Sequence, residues 1–65
     1  MITVKELLMI ASGVSSIGIY DIDDTFIETV DICSIMGYLN HFVRHFQVVT
    51  ETRSNDIRMN IYLGE

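Results

Sequence analysis

The sequence predicts a small α+β fold of order α-β-β-α-β-β, with one four-stranded antiparallel sheet and two helices on one of its faces. Three observations carry this prediction. Residues 3–11 open with a helix-capping pattern, residues 32–46 place apolar side chains at spacings of three and four, and residues 16–30 and 47–63 each read as two strands split by turn chemistry. A chain of 65 residues has room for one domain, 1–65.

The first helix starts at Thr3-Val4-Lys5-Glu6. In a capping box the Thr3 hydroxyl accepts from the Glu6 amide, and the Glu6 carboxylate accepts from the Thr3 amide. Val4, Leu7, Leu8 and Ala11 form one stripe, Met9 points away from it, and Gly13 suits a residue just past the helix end. The helix is expected over about 4–11.

Ser16 to Ile22 and Thr25 to Val30 read as a hairpin turned by Asp23-Asp24. A two-residue loop puts Ile17, Ile19, Phe26 and Val30 on one face, together with Asp21 and Glu28. A three-residue loop pairs Ile17 and Ile19 with Ile27 instead, and the residues alone leave both registers open.

Asp31 is the expected N-cap of the second helix. Ile32, Ile35, Met36, Leu39, Phe42, Val43 and Phe46 would form its buried stripe, a span of roughly 100° on the helical wheel. Gln47–Arg53 and Ile57–Leu63 then form the second hairpin. A loop at Ser54-Asn55 sets Glu51 opposite Arg58 and Arg53 opposite Asp56, two opposite-charge pairs. It places Ile57, Met59, Ile61, Val48 and Thr50 on one face, and Gln47, Val49, Glu51, Arg58, Asn60 and Tyr62 on the other. A circularly permuted ferredoxin-like fold would give the same element order, an analogy of topology that carries no function.

Composition narrows the function classes. Nine Asp/Glu against four Lys/Arg give a formal charge of −5, which argues against direct nucleic-acid binding. A lone cysteine excludes an internal disulfide and, with no export-signal pattern, points to the cytoplasm. No stretch approaches the roughly 20 apolar residues of a membrane span. The hydrophobic content of 49% exceeds what so small a core hides, so a homo-oligomer is expected.

Several constellations bear on chemistry. His41 and His45, four apart on a helix, would be weak metal candidates, since a closed zinc site needs four ligands. Asp21, Asp23 and Asp24 read as turn chemistry rather than a cation site, because Asp hydrogen-bonds its own backbone. Cys33 reads as a small apolar residue, with no base nearby in sequence to activate it. Gly37, inside the predicted helix, and Gly18, mid-strand, mark positions of possible close approach. The outer sheet face, with Tyr20, Ile22, Val49, Arg58, Asn60 and Tyr62, suits either an isologous dimer or a nucleotide-like ligand, and the small core favours the dimer. Tyr38, His41, Arg44 and His45 would form a second polar face on the second helix. No catalytic residue, cofactor or resident metal is assigned.

The stretches Ile2-Thr3-Val4-Lys5-Glu6-Leu7-Leu8, Ile19-Tyr20-Asp21 and Asp24-Thr25-Phe26 resemble small proteins of phages and mobile elements of Gram-positive bacteria. The resemblance implies a non-enzymatic, counter-defence role by stoichiometric binding in the host cytoplasm. The ligand would be a nucleotide-derived immune signal held between subunits. The alternatives are an inhibitor that binds a host defence protein, in the manner of an anti-CRISPR, and a structural or regulatory oligomerisation module.

Overall fold

The computed structural model describes residues 2–11, 13–50 and 56–64. The elements run β1 (Ile2–Thr3), α1 (Val4–Ile10), β2 (Ser16–Tyr20), β3 (Phe26–Val30), a 3₁₀ helix (Ile35–Tyr38), β4 (Phe42–Thr50) and β5 (Ile57–Leu63). They form one five-stranded sheet of order β1-β4-β5-β2-β3. β2 and β5 are parallel, and the other three pairings are antiparallel. The expected four-stranded antiparallel sheet with two helices is therefore corrected to a mixed five-stranded sheet with one α-helix, and the permuted ferredoxin analogy falls with it.

The capping box forms as the residue pattern requires. Glu6 N donates to Thr3 Oγ1 at 3.3 Å, and Thr3 N donates to Glu6 Oε1 at 3.0 Å. Two further amides at the helix start, Val4 N and Lys5 N, donate to the carbonyls of His41 and Leu39 at 2.9 and 3.1 Å. The turn ahead of β4 thus satisfies donors that a helix N-terminus leaves open. Gly13 has φ +77°, but Ala11 is the C-cap, so Gly13 shapes the following loop rather than the helix end itself.

The pairing directions make β1 parallel to β2, so β1-α1-β2 is a crossover unit that carries α1 over the intervening β4 and β5. Val4 and Leu7 seal onto Ile17, Ile19, Met59, Ile61 and Leu63, with Val30, Val43 and Ile35 completing the core. β5 is the central strand. Its alternation sends Met59, Ile61 and Leu63 inward and Arg58, Asn60 and Tyr62 outward.

The predicted helix over 32–46 does not form. Asp31 does cap, with Oδ1 accepting from Cys33 N and Ser34 N at 3.0 and 2.9 Å, but it caps a turn. A single 3₁₀ turn follows, and residues 42–50 are extended. Phe42, Val43, Phe46, Val48, Val49 and Thr50 are aromatic or β-branched, and pairing with β5 and β1 decides their conformation. A β-bulge explains the last step of the misleading spacing. Val43 pairs with Leu63 and His45 with Tyr62, so Arg44 is the extra residue, and Val43 and Phe46 share a face although three apart.

The first hairpin has the register of a two-residue loop at Ile17↔Val30, Gly18↔Thr29 and Ile19↔Glu28. A bulge at Ile27 then pairs Tyr20 with Phe26 and turns Phe26 to the outer face. The second hairpin keeps the expected faces with a shifted register. Arg58 lies opposite Val49, not Glu51. Glu51, Arg53 and the Ser54-Asn55 loop lie outside the described residues. No helix among the described residues is long and apolar enough to cross a membrane.

Candidate functional site: the open face of the sheet

α1 covers one side of the sheet, and the pairing lays out the other side in three rows. Phe26, Tyr20, Tyr62 and His45 form the first, across β3, β2, β5 and β4. Thr29, Gly18, Asn60 and Gln47 form the second, and Ser16, Arg58 and Val49 the third.

The first row is a continuous aromatic strip. Tyr20 and Tyr62 stack with centroids 4.5 Å apart and planes 21° apart. Phe26 meets Tyr20 edge-on at 5.5 Å, and His45 tilts against Tyr62 at 5.4 Å. Parallel pairing of β2 with β5 produces the stack, because it puts Tyr20 and Tyr62 side by side pointing the same way. The bulge at Arg44 brings its guanidinium 6.0 Å from the Tyr62 centroid, within cation–π reach. Asp24, from the β2–β3 turn, pairs with the same guanidinium and fixes it there.

Beside the strip the sheet dips. Gly18 has no side chain, and the Asn60 carboxamide leans over its backbone so closely that a Cβ at Gly18 would stand 2.8 Å from Asn60 Oδ1. Gly18, Tyr20, Phe26, Thr29, Arg58 and Asn60 line a shallow pocket of about 280 Å³, just under the ~300–1,000 Å³ usual for small-molecule sites. It offers ring faces on one side, a carboxamide donor and acceptor in the middle, and a guanidinium at the far end.

The sequence candidates therefore divide. Tyr20, Arg58, Asn60, Tyr62, Arg44 and His45 share the open face. Tyr38 packs against the core on the helix side, where its hydroxyl bonds the Glu28 carboxylate. That hydrogen bond, then burial, then the Glu28 charge raise the Tyr38 pKa. His41 lies near Tyr38, with ring centroids 5.9 Å apart. The proposed polar face of Tyr38, His41, Arg44 and His45 depended on the helix that does not form. His41 lies in the bend before β4 and His45 within β4 opposite Tyr62, so the helical spacing of four that would bring them to one ion is absent. No group of three or more His, Cys, Asp or Glu suited to a metal occurs among the described residues.

The acidic turn is accounted for locally. Asp21 Oδ1 accepts from Asp23 N and Thr25 N, both at 2.9 Å, and lets Asp24 adopt φ 65°. Cys33 is exposed in the turn after Asp31. A Cβ at Gly37 would meet nothing within 4 Å, so the close approach lies at Gly18 instead. Ile22 sits in the turn rather than on the face. Phe26 carries no sequence signal as a site residue because the Ile27 bulge that positions it leaves no mark in the residue pattern, and Thr29 joins the site only through its pairing with Gly18. The mid-strand glycine was the one available signal.

Set against known protein families, curated proteins and solved structures, the chain matches none.

Proposed function

We propose that this protein is a non-enzymatic binding protein that holds a planar, anionic small molecule of the nucleotide class on its open sheet face. The observation that carries the proposal is the Tyr20–Tyr62 stack running into the Gly18 dip, with Asn60 and Arg58 beyond it. A base extends the aromatic strip by stacking, which contributes about 1–3 kcal/mol per base. The Asn60 carboxamide presents a donor and an acceptor to the base edge or sugar, and Arg58 pairs with a phosphate as a two-pronged donor. Such a protein acts by removing its ligand from solution. This is the mode that the resemblance to phage counter-defence proteins implies, with a nucleotide-derived signal as the ligand.

The chain has three tyrosines and no tryptophan, and Tyr20 and Tyr62 lie on the open face, so two of the three emitters report on the site. Titration with mononucleotides, cyclic nucleotides and cyclic dinucleotides is expected to give saturable quenching by at least one of them. Tyr20→Ala, which removes the tyrosine that lines the pocket, should weaken that binding about tenfold or more, the equivalent of ~1.4 kcal/mol of stacking. The absence of saturable binding by every nucleotide up to millimolar concentration would overturn the proposal.

A further inference from the structure

We infer that the edge of β4 from Arg44 to Thr50 is the site at which a second copy of this chain pairs, strand to antiparallel strand, about a two-fold axis.

Among the described residues β1 covers β4 only at Phe42 and Val43, and no other described strand lies along the rest of that edge. Backbone donors and acceptors along a bare edge seek a further strand, and proteins guard such edges with charge, proline, bulges or short length. The opposite edge, β3, has such guards: a five-residue strand, a bulge at Ile27, and Glu28 facing the helix side. The β4 edge is guarded only at its Arg44 end, where the bulge and that guanidinium lie beside β1. From His45 to Thr50 it has no proline, lysine or carboxylate, in a chain with nine acids.

The side chains are self-complementary. With Gln47 on the two-fold axis, Phe46 stands opposite Val48 of the second copy and Val48 opposite its Phe46, on the helix side. On the open face His45 meets Val49 of the second copy, and the two Gln47 carboxamides meet each other. Phe46 and Val48 are 43% and 53% exposed, so pairing removes this apolar surface from water. No like charges oppose one another in this register, and an isologous pair closes with no further edge of β4 to grow from. The result is a continuous ten-stranded sheet with both ligand faces on the same side.

The test is sedimentation equilibrium of the full chain at micromolar concentration, with Val48→Lys as the variant. A dimer mass is expected for the native chain, and half that mass, at unchanged secondary structure, for Val48→Lys. Cross-linking gives an independent readout even if the lysine variant misfolds. In a Cys33→Ser background, Gln47→Cys should oxidise to a covalent dimer, since symmetric antiparallel neighbours have Cα atoms within disulfide range. Ile27→Cys on the opposite edge should not. A native monomer, a dimer that survives in a folded Val48→Lys variant, or cross-linking through position 27 rather than 47 would overturn the inference. None of these measurements depends on nucleotide binding.

Discussion

Gly18→Ala separates the role of the dip in binding from any role in the fold. Gly18 does not use positive φ, so alanine fits the backbone there. Removing a glycine from the unfolded chain stabilises by about 0.4–1 kcal/mol. Against this, the new methyl would stand 2.8 Å from Asn60 Oδ1, closer than Cβ contacts are found in practice, so the carboxamide must swing aside. Moving that flexible end away from its preferred rotamer costs about 0.5–1.5 kcal/mol. The two effects nearly cancel, and the urea midpoint should move little, within about 1 kcal/mol of the native stability. Binding should not be spared. The methyl fills the floor of the pocket, and the displaced carboxamide loses a hydrogen bond worth about 0.5–1.5 kcal/mol. With steric exclusion added, a loss of roughly tenfold to a hundredfold in affinity is expected, or about 1.4–2.8 kcal/mol. Tyrosine quenching measures the affinity, and urea denaturation measures the fold. A stability loss above about 2 kcal/mol would refute the reasoning about the fold, because it would make Gly18 a packing requirement. Affinity retained within twofold would refute the placement of the ligand.

Three further outcomes follow from the local geometry. Asp21→Ala should lower unfolding stability by about 1–3 kcal/mol, because one carboxylate oxygen holds two backbone amides, whereas Asp23→Ala should stay within about 0.5 kcal/mol; urea denaturation compares them. Thr3→Ala should cost about 1 kcal/mol through loss of the cap, read by thermal melting. The Tyr38 pKa is raised in the fold, so its neutral form is favoured there and its contribution is fully present below the unfolded value of about 10 and lost as pH rises through the folded value. The stability difference between the native chain and Tyr38→Phe should thus stay flat from neutral pH to about 9 and move against the native chain above 10. A difference moving the other way would reverse the assignment.

Much of the fold was legible because it is encoded locally. The Thr3/Glu6 box, the stripe of Val4 and Leu7, and the alternation of Met59, Ile61 and Leu63 each determine one element from a few neighbouring residues. A strand stands at each of the four expected places, although β4 begins at Phe42 rather than Gln47, and the described residues of the second hairpin lie on the faces where the alternation placed them. What was not legible depends on distant partners. A two-residue strand such as β1 has no period to detect, and its existence rests on Val43 and Phe42 across the sheet. The bulge at Arg44 counterfeited helical spacing from Val43 to Phe46, so local pattern and true conformation disagreed where pairing with β5 had the stronger claim. The open face was partly legible for the same reasons. Arg58, Asn60 and Tyr62 follow from the period of β5, but the Tyr20–Tyr62 stack needs the parallel pairing, and Phe26 needs the bulge.

That parallel pairing also shapes how the molecule must fold. Ser16 to Tyr20 find their inner neighbour roughly forty residues downstream, at Arg58 to Tyr62, so the contacts that close the middle of the sheet are among the least local in the chain. Loop closure has to be achieved before those contacts return any free energy. The hairpin β2–β3 and the helix α1 have no core to rest on until β5 arrives with Met59, Ile61 and Leu63. Folding should therefore be slow for so short a chain and nearly all-or-none. A fragment cut before Ile57 would keep most of the residues and none of the organisation.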